Sequence, residues 1–198
     1  MAADRRWDQR RFHIEESSTQ NNGQRTIFIE YMTPGTTVPI HYHDHFSETF
    51  DPLSGSITVF SSDQTHDSEE AWISSASSTT LKAGQKAMVK PGQYHKYVAG
   101  SDEELVLRVV VEPGYLDFER LLMILNGLAD DGKLEGMGDC VALMALIMDL
   151  GNAHVIGPAK AVLDGVYETR GTELAQLKAQ LLAKYDNEDS LRKLLAKK

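Results

Sequence analysis

The stretch GTTVPIHYHDHFSETFDPLSG, from Gly35 to Gly55, holds three histidines and a glutamate in a short span. The whole chain has 7 histidines in 198 residues, so three in one stretch is a clear concentration. Side chains alternate between the two faces of a strand, so His41 and His43 project from one face and can direct two imidazoles at one point. Glu48 has the wrong parity for that face, and it joins the pair only if the chain bends or crosses to a neighbouring strand. The spacing predicts a chelating pair with a carboxylate nearby.

A second stretch, GQKAMVKPGQYH at residues 84–95, supplies another histidine. Gly84 and the Pro91-Gly92 turn bracket a short strand and bring His95 to the start of the next strand. His95 is therefore a fourth candidate ligand.

Together the two stretches resemble the two sequence motifs of the cupin superfamily, and the resemblance covers residues 25–112. The first motif is a glycine, five residues, His-x-His, four residues, a glutamate, six residues and a glycine, and every one of these positions is occupied. In the second motif, Lys90 stands in place of the usual proline and Ala99 in place of the terminal asparagine. These departures affect the turn more than the metal ligands.

The resemblance implies that His41, His43, Glu48 and His95 bind one divalent metal ion inside a small antiparallel β-barrel or jelly roll. Three imidazole nitrogens and a carboxylate oxygen suit a first-row cation, and they do not select among iron, manganese, nickel, cobalt, copper and zinc. His45 is an alternative to Glu48, because an extended strand through residue 45 would place it on the face of His41 and His43.

Cupins include oxygenases, isomerases, decarboxylases, lyases, cyclases and non-catalytic binding proteins, so the resemblance does not select a reaction. We expect a metal-dependent enzyme that acts on a small organic metabolite, with Glu48 also serving as a general base. The alternative is a non-catalytic module that binds a metal and a metabolite. Four further residues flank the ligands and are predicted to line the pocket: His45, Lys90, Tyr94 and Tyr97.

The composition limits the other possibilities. A hydrophobic fraction of 41% is enough for a buried core, and a formal net charge of −9 without a basic stripe argues against nucleic acids and anionic membranes as partners. The single cysteine, Cys140, and an N-terminus without an apolar signal core favour a cytoplasmic location. The longest apolar run, Cys140–Met148, is too short for a membrane helix.

The pattern of apolar residues divides the chain into three parts. Residues 1–24 are polar and predict a loose arm, residues 25–113 form short β-branched and aromatic segments, and residues 114–198 change to helical spacing. The overall prediction is therefore a mainly β, cupin-like barrel or jelly roll followed by an α-helical C-terminal extension. Helices are expected near residues 118–128, 139–150, 158–169, 172–185 and 188–197, and the polar segment at residues 61–70 is expected to be a solvated loop. The apolar helix stripes are expected to pack on the barrel and on each other, and we expect a homodimer through either part.

Overall fold

The chain forms two antiparallel β-sheets and a group of helices that follows them, as described by a computed structural model for residues 12–66, 68–133 and 140–195. The strands are Phe12–Glu16 (β1), Thr26–Met32 (β2), His41–His43 (β3), Ser47–Ser54 (β4), Ser56–Ser62 (β5), Ser77–Lys82 (β6), Ala87–Val89 (β7), Tyr94–Ala99 (β8), Leu105–Glu112 (β9) and Ala153–Val155 (β10). The helices are Glu69–Ser75 (α1), Leu116–Asp130 (α2), Cys140–Leu150 (α3), Pro158–Tyr185 (α4) and Glu188–Leu195 (α5).

The first sheet has the order β1-β2-β9-β4-β7, and the second has the order β10-β3-β8-β5-β6. From β2 to β10 consecutive strands alternate between the two sheets, except that β5 and β6 lie in the same sheet, so most neighbours in sequence face each other across the core. This arrangement is a jelly roll, which confirms the predicted fold class. The sheets do not join into the closed barrel that the sequence had left open as an alternative.

Strand β9 shows how the sequence builds the space between the sheets. Four alternate residues, Leu105, Leu107, Val109 and Val111, are almost completely buried, while those between them are only partly covered. This period of two directs one face of β9 into the core, where Ile57 and Val59 of the opposite sheet belong to the same cluster. Each such aliphatic side chain contributes roughly 1.5–3 kcal/mol through burial.

Gly55 makes the turn between β4 and β5, and its φ of +74° lies in the left-handed region that favours glycine. A Cβ on Gly55 would lie 2.9 Å from the carbonyl oxygen of Glu104 and 3.0 Å from Cα of Leu105. Gly84 has a similar φ of +85°, but a Cβ there would meet open space. A side chain at Gly84 would therefore cause backbone strain alone, whereas one at Gly55 would cause both strain and steric overlap.

We expect Gly55→Ala to lower the free energy of unfolding by more than Gly84→Ala does. Gly84→Ala should cost about 1–2 kcal/mol, the price of left-handed φ for an L-residue. Gly55→Ala should cost about 1–3 kcal/mol more, because the backbone of residues 104–105 has to move. Urea unfolding followed by circular dichroism measures both losses, and equal losses would show that the close approach to residue 104 does not matter.

Two segments are more ordered than the sequence predicted. Over the described part of the expected arm, Phe12–Glu16 pairs with β2 at the edge of the first sheet, and a short 3₁₀ turn follows at Ser18–Gln20. The expected solvated loop at residues 61–70 leads into α1, which Ser68 caps through its side chain. Trp72 of α1 is fully buried and donates its indole N–H to the carbonyl of Gln64 at 3.1 Å. One buried aromatic side chain thus anchors an otherwise polar segment.

The helices follow the sequence prediction closely. One continuous element, α4, covers the two segments expected at residues 158–169 and 172–185, and Arg170 between them has non-helical angles of φ −125° and ψ 19°. The apolar stripes are buried against α2 and α3, as at Leu174 and Leu181, and Leu194 of α5 belongs to the core between the sheets. Within the described residues, no helix is long and apolar enough to cross a membrane.

A buried carboxyl group fastens α2 to the jelly roll. Glu119 is fully buried and accepts hydrogen bonds from the hydroxyl of Ser17 at 2.5 Å, the backbone N–H of Ser18 at 2.7 Å and the hydroxyl of Thr26 at 2.6 Å. One side chain of the helical extension therefore satisfies three donors at the start of the first sheet. Nothing in the local sequence pattern had singled out this residue.

Candidate metal centre

Two strands of the second sheet and one strand of the first position the predicted ligands. His41 and His43 lie on β3, and His41 is directly opposite His95 of β8 in the antiparallel register. Glu48 lies on β4, which belongs to the other sheet. Glu48 could not share a strand face with His41 and His43, but from the opposite sheet it faces them across the core.

The four side chains converge on one point. One ligand atom from each of His41, His43, Glu48 and His95 lies within 4.8 Å of all the others. Glu48 Oε2 is 3.1 Å from His95 Nε2 and 3.3 Å from His43 Nε2. His95, His43 and Glu48 are buried, whereas His41 is only partly covered. His41 is therefore the least buried of the four ligands.

Backbone carbonyls fix the orientation of all three imidazoles. Nδ1 of His41 lies 2.8 Å from the carbonyl of Pro39, and Nδ1 of His95 lies 3.1 Å from that of Gln93. Nδ1 of His43 lies 3.0 Å from two carbonyls, those of residues 151 and 152. A carbonyl oxygen can only accept, so these contacts put a proton on Nδ1, and in a neutral imidazole Nε2 is then the atom that can bind a metal.

Charge and burial act together on the ionisable groups. Burial raises the pKa of Glu48, but the nearby His43 and His95 outweigh it and hold that pKa well below its usual value. Burial lowers the pKa of His43, but the Glu48 carboxylate outweighs it and the net shift is upward. Burial, reinforced by His95 and His43, holds the pKa of His41 well below its usual value. Glu48 is therefore a carboxylate and His41 a neutral imidazole at neutral pH, as metal binding requires.

The donor set also fits a metal ion in a second way. His43 Nε2 is buried and has no hydrogen-bond partner among the described residues, although Glu48 Oε2 is 3.3 Å away. An unpaired buried nitrogen is costly, and a metal ion between His43 and Glu48 would remove that cost. Three nitrogens and one oxygen are ligands that a divalent first-row metal accepts. The group could hold one metal ion.

The four predicted pocket residues are dispersed around the cluster. His45 is exposed, with its ring 5.6 Å from that of Tyr115, and it does not belong to the converging group. Lys90 is exposed on the turn before His95. Tyr94 stacks edge-on against Tyr42 at 5.1 Å on the opposite face of the sheet. The structure therefore does not place these three beside the ligands.

Tyr97, the fourth predicted pocket residue, points into the core on the same side of β8 as His95. Its hydroxyl donates to Glu30 Oε2 at 3.1 Å, and its ring lies 5.1 Å from that of Phe50. The Phe50 ring is in turn 6.1 Å from His95. Tyr97 is thus separated from the cluster by an apolar neighbour.

A large cavity lies on the other face of the second sheet. It has a volume of about 760 Å³ and runs between β3, β10 and α4. His45 and Tyr94 line it together with Tyr42, His154 and Tyr167, but none of the four clustered ligands does. We therefore build the candidate site on the converging side chains and not on this cavity.

Sequence reasoning missed two supports of the cluster. Phe46 is buried and stacks on the His43 ring with 4.4 Å between centroids. Strand β10 pairs with β3, with Ala153 opposite His43, and the Gly151-Asn152 turn before it supplies the carbonyls that contact the imidazole. The available signal was the Gly-Asn pair after a predicted helix, which is typical of a helix C-terminus.

Comparisons with known proteins give matches among solved structures only. No protein-family model matches the chain, and no curated protein does. An uncharacterized conserved protein with a double-stranded beta-helix domain from Klebsiella pneumoniae is 27% identical over 46% of this chain and 70% of that one, with a TM-score of 0.36. KdgF from Halomonas sp. is 12% identical over 54% and 82% (TM-score 0.42), and the oxalate decarboxylase of Lactobacillus farciminis is 18% identical over 52% and 28% (TM-score 0.42).

Proposed function

We propose that this chain, which has the jelly-roll fold and the complete first motif of the cupin superfamily, is a metal-dependent enzyme acting on a small organic molecule. The observation that supports the proposal is the convergence of His41, His43, Glu48 and His95 within 4.8 Å between the two sheets. Four ligands leave room in an octahedral shell for a substrate atom, and a divalent cation bound there would act as a Lewis acid toward a substrate oxygen.

The four ligands differ in burial. His95 is completely buried, and Phe46 covers the face of His43, so these ligands are shielded from water. Only His41 is partly exposed. We therefore assign the approach of a substrate to the side of His41, the least buried of the four ligands.

Glu48 is the residue that we assign to proton transfer. Its contacts with His43 and His95 are both made by Oε2, and Oε1 is the atom that we assign to take a proton from the substrate. The lowered pKa keeps Glu48 ionised at neutral pH, which is the form that can bind a metal ion and accept a proton.

The test is metal reconstitution followed by a search for turnover. Metal-depleted protein is loaded anaerobically with Fe²⁺, Mn²⁺, Co²⁺, Ni²⁺, Cu²⁺ or Zn²⁺, and the bound metal per chain is measured. Each loaded form is then incubated with a panel of hydroxy, keto and carboxylic acids, and both product formation and oxygen uptake are recorded.

We expect one metal per chain and turnover of at least one small acid, with oxygen uptake separating an oxygenase from a redox-neutral enzyme. Failure to retain any of the six metals would overturn the proposal. Stoichiometric binding of a metabolite that is recovered unchanged under all loadings would instead show a binding module without catalysis.

A further inference from the structure

We propose that Asn152 is a positioning residue of the metal centre, which holds both His43 and the crossover from His43 to Glu48 in place. This inference rests on the proposed metal binding by the cluster. It assigns a role to the helical extension, because Asn152 lies more than 100 positions after His43 in the sequence. The turn between α3 and β10 brings it to the cluster.

The side chain of Asn152 fixes the chain that leaves β3. Its Oδ1 accepts hydrogen bonds from the backbone N–H of Asp44 at 2.7 Å and from that of His45 at 3.1 Å. Asp44 and His45 directly follow the ligand His43 and begin the crossover to β4, which carries Glu48. One oxygen atom therefore holds the first two residues of the segment that connects His43 to Glu48.

The backbone of the same residue fixes the imidazole of His43. The carbonyls of Gly151 and Asn152 each lie 3.0 Å from His43 Nδ1. They follow the C-terminus of α3, where the helix dipole makes carbonyls good acceptors. Such contacts orient a ligating histidine and make its other nitrogen a stronger ligand.

The local backbone explains why asparagine suits this position. Asn152 has a φ of +47°, a left-handed conformation that asparagine tolerates better than most residues. Its N–H donates to the carbonyl of Asp149 at 3.2 Å, which ends α3, and the next residue, Ala153, already pairs with His43 in β10. Asn152 thus ends α3, caps the backbone N–H groups after β3 and directly precedes the strand that pairs with His43.

Three substitutions separate the side-chain contribution from the backbone contribution. Asn152→Gly keeps the left-handed φ and removes Oδ1, Asn152→Asp keeps an acceptor at the Oδ1 position, and Asn152→Ala removes the acceptor and also disfavours the left-handed φ. A matched control is Asn21→Gly, because Asn21 Oδ1 also caps two backbone N–H groups, those of Gln24 at 2.9 Å and Arg25 at 3.3 Å, outside the metal centre.

The probe is Co²⁺, whose binding is followed by calorimetry and by its visible absorption spectrum in the purified full-length chain. Asn152→Gly is expected to weaken Co²⁺ binding by about 10–100-fold, the usual effect of losing a partner that supports a metal ligand. Asn152→Ala should bind Co²⁺ at least as weakly as Asn152→Gly does. Asn152→Asp should bind Co²⁺ with an affinity within about threefold of the original chain. This difference is smaller than the ~10-fold loss that is the least expected for Asn152→Gly. Asn21→Gly should bind Co²⁺ like the original chain.

The outcomes distinguish this inference from the proposed function. Co²⁺ binding by Asn152→Gly at the original affinity overturns the role of Asn152 and leaves the metal centre intact. Equal losses in Asn152→Gly and Asn152→Asp also overturn it, because the retained acceptor would then have no effect. A loss in Asn21→Gly as large as that in Asn152→Gly would show a general effect of destabilisation and overturn it too. If the original chain itself fails to bind Co²⁺ or any other metal, the proposed function fails.

Discussion

Replacing His95 with alanine is expected to abolish tight metal binding. His95 is completely buried, and its Nε2 is 3.1 Å from Glu48 Oε2 at the centre of the cluster. The substitution removes one of four ligands, so the affinity should fall by more than the ~10–100-fold that the loss of an outer partner costs. Calorimetric titration with Co²⁺ measures the change, and metal analysis of the purified chain gives the stoichiometry.

Thermal unfolding provides a second measure of the same prediction. A ligand that binds only the folded state at 100 times its dissociation constant adds about 2.7 kcal/mol to the free energy of unfolding. The original chain should therefore melt at a higher temperature with Co²⁺ than without it. The His95→Ala variant should show no such shift.

Two further substitutions control for effects on folding. His41→Ala removes a ligand that is only partly buried, so it should lose metal binding with a smaller effect on the metal-free fold. His66→Ala removes an exposed histidine outside the cluster, whose Nε2 contacts the hydroxyl of Ser75 at 2.7 Å, and it should bind metal normally. Full Co²⁺ affinity in both His41→Ala and His95→Ala would show that these residues are not ligands.

Glu119→Ala is expected to cause the largest loss of stability that we predict for a single residue. The substitution removes the acceptor of three hydrogen bonds and leaves the donors of Ser17, Ser18 and Thr26 in a buried site. Each buried unsatisfied group costs about 1–3 kcal/mol, so we expect a total loss of about 3–5 kcal/mol after partial relaxation. Urea unfolding monitored by circular dichroism measures it.

Glu119→Gln tests whether the acceptors or the packing are responsible. The amide keeps one oxygen for Ser18 and Thr26, so this variant should lose clearly less stability than Glu119→Ala. Asp117→Ala, in the same helical turn but partly exposed and paired with Arg120, should lose only about 0–1 kcal/mol. A loss for Glu119→Ala no greater than that for Asp117→Ala would contradict the structural role of the buried carboxyl group.

The resemblance to the two cupin motifs was enough to predict the members of the cluster but not the way in which they meet. The alternation of side chains indicated that His41 and His43 share a face and that Glu48 does not. The structure brings Glu48 to them because β4 belongs to the opposite sheet. Sheet membership depends on contacts between distant segments, which a local pattern does not contain.

The local sequence pattern does not mark two of the strands, β4 and β10, and each case has a physical explanation. Strand β4 has the sequence SETFDPLS, whose serine, aspartate and proline residues have low strand propensity, and it is held between β9 and β7 by tertiary pairing. Strand β10 has only three residues and exists because it pairs with β3. The helices were easier to predict, because their apolar residues repeat over many turns.

The pairing of β10 with β3 has a consequence for biosynthesis. The histidine pair is synthesised early, whereas the Gly151-Asn152 carbonyls that hold His43 Nδ1 follow 108 and 109 positions later. A ribosome adds about 5–20 residues per second, so several seconds separate the two events. In the second half of that interval, after residue 95 has been added, the nascent chain contains all four ligands but lacks the support for one of them. The order of synthesis therefore delays a fully supported centre until the helical extension has left the ribosome and docked.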